Sequence, residues 1–148
     1  MNWLFLFLAF LIGISNAVQS GVNTQLRESI NNPILAAMTS FFVGLVVLSI
    51  AFACFNQNPI PALSDFRQVS WTRFMGGVLG AFYVITVIFI VRDIGPANMI
   101  CLVVAGQMIA TMTIDHYGLQ GFAVHQITLP RIAGTVLLVA GVYLILKN

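Results

Sequence analysis

The chain has 148 residues, 59% of them hydrophobic and only 7% charged. A soluble domain carries about 25% charged residues, so a water-soluble globule is excluded and lipid must cover much of the surface. A formal net charge of +2, with no block of like charge, offers nothing to hold a nucleic acid.

In chain order, the apolar run Leu4–Ile14 followed by Ser15-Asn16-Ala17 has the outline of a signal peptide, but Met1-Asn2-Trp3 supplies no basic residue before it. An uncleaved first membrane helix is therefore expected, about 3–27, with Trp3 at the interface and Asn31-Asn32-Pro33 as its stop. A second span, about 34–55, holds no charge and ends at Asn56-Gln57-Asn58-Pro59-Ile60-Pro61. A polar loop carrying Asp65 and Arg67 runs to Ser70. The third span covers about 71–91, with Trp71 and Arg73 at one end and Arg92-Asp93 at the other. Gly95-Pro96 breaks the chain before a fourth span, about 97–117, that ends in Asp115-His116. The fifth covers about 128–146, with Thr128 placed to cap it and Pro130 in its first turn. Each span is long enough to cross roughly 30 Å of hydrocarbon as a helix. No ten-residue alternation argues for a barrel. The expected fold is an all-α integral membrane protein, one transmembrane domain over 1–148, with five helices and termini on opposite faces.

Lys and Arg do not choose an orientation. The face holding the N-terminus receives Arg67, Arg73 and Arg131; the other receives Arg27, Arg92 and Lys147. The positive-inside rule needs an excess on one face, and here there is none. Two readings stay open: insertion in both orientations, or an orientation fixed by a partner or by the nascent chain.

Polar residues at membrane depth are costly unless paired or facing water. Asn16, Gln19, Ser20 and Asn23, followed by Arg27, fall on one face of the first helix. An amide both donates and accepts, so this face can grip a polar solute or tie helices together; both roles stand. Gln107, at the middle of the fourth span, carries the same pair of readings. Asp115-His116 is a proton-sensitive pair or an interfacial anchor, and Tyr83 and Tyr143 each offer a hydroxyl. Small residues recur at helical spacing: Gly13, Ala17 and Gly21; Ser40 and Gly44; Gly76 and Gly80. Such faces let helix backbones approach. One is expected to serve packing within the chain and another a subunit contact. Cys54 and Cys101 lie in apolar runs without metal-ligand spacing and are packing residues. No nucleophile elbow, phosphate loop or metalloprotease motif is present, so neither catalysis nor a cofactor or metal is expected.

The runs Asn23-Thr24-Gln25-Leu26-Arg27, Ser40-Phe41-Phe42-Val43-Gly44, Gly76-Gly77-Val78-Leu79-Gly80-Ala81-Phe82-Tyr83-Val84, and Gly106-Gln107 leading to Asp115-His116-Tyr117-Gly118-Leu119-Gln120-Gly121 together resemble the YdcZ-like family of the drug/metabolite transporter superfamily, over essentially the whole chain. The resemblance implies a five-helix half-transporter of the bacterial inner membrane. Longer relatives carry ten helices in two inverted halves, and inverted repeats place the substrate site near the midplane. An antiparallel, dual-topology homodimer would build the same architecture from one short chain. The small multidrug-resistance relatives carry an acidic residue within the first helix. Here that helix has none before Glu28, which leaves Asp115 as the candidate proton site.

The leading expectation is thus a secondary transporter of small polar or metabolite-like solutes, with Asn16, Gln19, Asn23 and Gln107 lining the cavity and Tyr83 and Asp115 behind them. The alternatives are a non-transporting scaffold or regulatory subunit, and one half of a hetero-pair. If orientation is balanced, one added Lys at either end should swing the population, as read by reporter fusions at Asn148. A single fixed orientation in the wild type would remove dual insertion.

Overall fold

A computed structural model describes residues 2–147, and among them there are helices and no strands. Six α-helices follow one another: α1 (Trp3–Ile30), α2 (Pro33–Phe55), α3 (Leu63–Gln68), α4 (Met75–Ile94, entered through a 3₁₀ turn at Trp71–Phe74), α5 (Pro96–Tyr117) and α6 (Leu129–Lys147). All but α3, with the turn at Trp71–Phe74 counted into α4, are long and apolar enough to cross a membrane.

The ends of these helices are written in local chemistry. The Asn2 side chain accepts from the Leu4 N–H at 3.1 Å and caps α1. Asn31 ends that helix in the left-handed region at φ 50, a conformation asparagine tolerates better than most residues. Asn32 then caps α2, its Oδ1 accepting from the N–H groups of Ile34 and Leu35 at 3.1 and 3.0 Å, while Pro33 occupies the first turn, where no N–H is missed. Two residues therefore close one helix and open the next. α1 runs one turn beyond the expected end at Arg27, because nothing in Glu28-Ser29-Ile30 breaks a helix. The segment expected to be all loop contains α3, begun where the Asp65 carboxylate accepts from the Ala62 N–H at 3.0 Å. At the start of α6 Pro130 stands in the first turn as expected, and Ile132 N–H donates to Thr128 O at 3.0 Å, but the Thr128 side chain makes no capping hydrogen bond among the described residues.

The chain forms two compact units, with the boundary between Arg92 and Asp93 in the last turn of α4. In the first, Ala36 and Ala37 of α2 and Ile88 of α4 form a small buried core, flanked by Leu26, Val84 and Ile85. Few of the glycines take part in this packing. Gly80 faces the Phe41 ring, its absent Cβ site 3.8 Å from the nearest ring atom. Gly13, Gly21, Gly44, Gly76 and Gly77 meet no neighbour within 4 Å of that site. Most large apolar side chains point outward, Phe5, Phe10, Phe42, Leu48 and Phe82 among them. This suits a chain whose solvent is hydrocarbon, where burying apolar surface against protein gives no advantage over lipid.

The second unit is the α5/α6 hairpin. Gly118 ends α5 at φ 60, and a short 3₁₀ turn, Leu119–Gly121, follows. The link then folds back: His125 N–H donates to Asp115 O at 2.9 Å, and Arg131 reaches the Asp115 carboxylate at 3.2 Å and His125 O at 3.3 Å. The Ile127 N–H also points at His116 Nδ1, at 3.4 Å. A Cβ on Gly118 would stand 2.7 Å from Val124 Cγ2 in a backbone region that L side chains avoid. Gly118→Ala should therefore destabilise the hairpin by roughly 1–3 kcal/mol. The check is a lowered thermal midpoint in detergent; an unchanged midpoint would show that the turn relaxes.

Candidate functional site

α1 is about 42 Å long at 1.5 Å per residue, more than the roughly 30 Å of hydrocarbon it must cross. Asn16 lies at its midpoint, and Tyr83 lies near the midpoint of α4. The Asn16 Nδ2 donates to the Tyr83 hydroxyl at 3.0 Å, and that hydroxyl is 3.4 Å from Asn16 Oδ1. A pair of residues 67 positions apart is thus joined near the middle of both helices.

One to two turns further along α1 the polar face changes character. Ser20 and Asn23 are each only 5% exposed. The Ser20 Oγ is buried with no hydrogen-bond partner among the described residues, and the Asn23 side chain likewise makes no hydrogen bond among them. Ser20, like the less buried Ser15, Ser40 and Thr86, makes no bond to its own helix. The hydroxyls of Thr24, Ser29, Thr39, Ser49 and Thr113 each donate to the carbonyl one turn back, the usual refuge of a helical hydroxyl in an apolar medium. An unsatisfied buried hydroxyl costs about 1–3 kcal/mol, so Ser20 is held at some expense in stability.

Two cavities meet this face. A narrow one of about 10 Å³ is lined by Asn16, Gln19, Ser20, Asn23, Tyr83, Val84 and Val87, space for about one water-sized group. A larger cleft of about 370 Å³ is lined by Gln19, Ser40, Phe41, Gly44, Leu45, Leu48 and Val84, within the size range of small-molecule sites. They share Gln19 and Val84 as walls. The cleft exists because Ser40 and Gly44 leave room on α2 where larger residues would close against α4.

The polar edge of the site is electrostatically fixed at the far end of α1. Arg27 stands about 16 Å along the helix from Asn16, at the border of the hydrocarbon. Its guanidinium donates to the Ile88 carbonyl, lies 3.4 Å from the Phe89 carbonyl and sits 5.6 Å from the centre of the Phe89 ring. Glu28 pairs with Arg92 beside it, both side chains about half exposed. Arg27 therefore ties α1 to α4 and is not free to project into the cleft.

Of the residues expected to line a site, Asn16, Gln19, Asn23 and Tyr83 come together in the first unit. Gln107 and Asp115 belong to the second. Gln107 is at the middle of α5, with an exposed side chain. Asp115 is at the end of that helix, engaged by Arg131. Phe41, Leu45, Leu48 and Val84 were not anticipated as cavity walls; the only signal was their place beside the small Ser40 and Gly44.

Residues 4–144 match the family described as "Putative inner membrane exporter, YdcZ". The chain belongs to that family. It is 29% identical over 143 residues to inner membrane protein YdcZ of Escherichia coli (strain K12), an alignment covering 95% of each chain. No solved structure matches it. It is a multi-pass protein of the bacterial inner membrane, and its family points to transport as the activity.

The Asn16–Tyr83 bond should be modest in energy, because polar contacts in membranes average about 0.6 kcal/mol. A double-mutant cycle of Asn16→Leu and Tyr83→Phe should return a coupling of that order in detergent unfolding. The more exposed pair is expected to matter less: Glu28→Gln should shift stability by under about 0.5 kcal/mol. A larger loss from Glu28→Gln than from Tyr83→Phe would reverse this ranking.

Proposed function

We propose that this protein is a secondary transporter of small polar or metabolite-like solutes, working by alternating access as an antiparallel pair of oppositely inserted copies. The observation that carries this reading is the cluster of Asn16, Gln19, Ser20, Asn23 and Tyr83 within the membrane-spanning helices, which shares Gln19 and Val84 with the wall of a cleft of about 370 Å³. A polar face that only tied helices together would have its groups paired. Here one hydroxyl and one amide remain unspent.

The dimer is supported on other grounds. An odd number of crossings would put the termini on opposite faces, and five helices leave little protein to enclose a solute path. The even charge tally permits both orientations. The glycines of α1 at positions 13 and 21 meet no neighbour, which leaves a small-residue face free for a second copy. In this reading the five spans act as one transmembrane domain, and Gln107, at the middle of α5, and Asp115, at the end of that helix, also meet the solute.

Flux of a radiolabelled panel of small solutes into proteoliposomes tests the proposal. A solute carried by the wild type should be lost with Asn16→Leu or Gln107→Leu while both variants remain folded. Intact flux in both would remove these residues from the path. Labelling single-cysteine variants at positions 16, 19 and 23 with a polar thiol reagent tests the rival role of a scaffold: reaction shows that water reaches this face, and protection shows a sealed helix contact.

A further inference from the structure

The class of solute follows from the chemistry of the two cavities, on the footing that the first unit holds the transport site. We infer that it takes an uncharged amphiphile: an apolar body about the size of one aromatic ring, carrying a head group that both donates and accepts hydrogen bonds, such as a primary amide or an alcohol.

The body is assigned to the cleft. Its walls are Phe41, Leu45, Leu48 and Val84, with polar groups only from Gln19 and Ser40. One polar end of the head, an N–H or hydroxyl no larger than a water, is assigned to the narrow cavity of about 10 Å³ beyond the shared Gln19 and Val84, where the Ser20 hydroxyl has no partner although the residue is 95% buried, its exposure being 5%. Asn23, equally buried, offers an unpaired carboxamide beside it. A hydroxyl and a carboxamide each present both donor and acceptor. An ammonium can only donate and a carboxylate can only accept, so either leaves part of this pair unmet.

Charge decides further against an ion. Neither lining set contains an Asp, Glu, His, Lys or Arg, so a charged solute would lose its hydration with no counter-charge to replace it. Arg27, one turn beyond Asn23, is held by the carbonyls of Ile88 and Phe89 and by the Phe89 ring. Glu28 is taken by Arg92. A site built from hydrogen bonds rejects an analogue that cannot complete them more strongly than an apolar pocket rejects a change of size.

The test is calorimetric titration of the full chain in lipid nanodiscs, with empty nanodiscs subtracted, using 2-phenylacetamide, phenethylamine, phenylacetate and ethylbenzene. The amide should bind, and the ammonium and carboxylate analogues should be at least about tenfold weaker. Ser20→Ala should weaken the amide about tenfold, the worth of one hydrogen bond, and leave ethylbenzene within about twofold. Because Ser20→Ala removes an unsatisfied group, it should hold or raise the thermal midpoint, which separates lost binding from lost folding. Leu48→Trp should fill the cleft and abolish binding of both. Equal or tighter binding of either charged analogue overturns the inference, as does amide affinity untouched by Ser20→Ala. Amide uptake unchanged by Leu48→Trp also overturns it, since that is the result of a cleft already filled by lipid or a second copy. Transport is read separately: flux of charged solutes without amide binding overturns this assignment and leaves transport standing, while amide binding without any flux does the reverse.

Discussion

In hydrocarbon, apolar side chains gain nothing by leaving lipid for protein, so the contacts that hold this chain together must be polar or very close. The first unit follows that constraint. Its buried apolar set is a few small or medium residues around Ala36, Ala37 and Ile88, while α1 and α4 are joined by Asn16 to Tyr83, by Arg27 to the Ile88 carbonyl and by Glu28 to Arg92. These ties span α1 from mid-membrane to one border. Between them lies the stretch in which the Ser20 hydroxyl is buried without a partner and the Asn23 amide makes no hydrogen bond among the described residues. Wherever polar groups are the cement, one left unspent stands out.

The same constraint links packing to recognition. In water, the exposed apolar walls of a cleft of about 370 Å³ carry a free-energy penalty. In a bilayer that pressure is absent. An apolar recess formed by Ser40 and Gly44 on one side and Val84 on the other can face hydrocarbon without that penalty. What distinguishes it from any other furrow on a membrane protein is the polar corner at Gln19 and the narrow cavity beyond.

The spans were readable because each is a single long apolar run with breakers at its ends, and the Asn31-Asn32-Pro33 stop needs only local chemistry. The short helix α3 was not, since it depends on Asp65 reaching back to the Ala62 N–H within a segment that looks like plain loop. The polar stripe on α1 was visible from spacing, but its division was not. Asn16 finds Tyr83, 67 residues away, and Ser20 and Asn23 find nothing; only the placement of α4 makes that difference. Likewise Arg27 reads in sequence as the stripe's last member, yet its guanidinium is claimed by a backbone carbonyl of another helix. A main-chain acceptor carries no residue-type signal that could betray it.

The junction of α1 and α2 is two asparagines long. One is bent into the left-handed region, and the other clasps two N–H groups of the next helix. Such a knuckle has no slack. Neither helix can turn over in the bilayer while its neighbour stays, so whatever sets the handedness of insertion acts on a hairpin. Everything up to Phe55 therefore takes its place in the bilayer as one block.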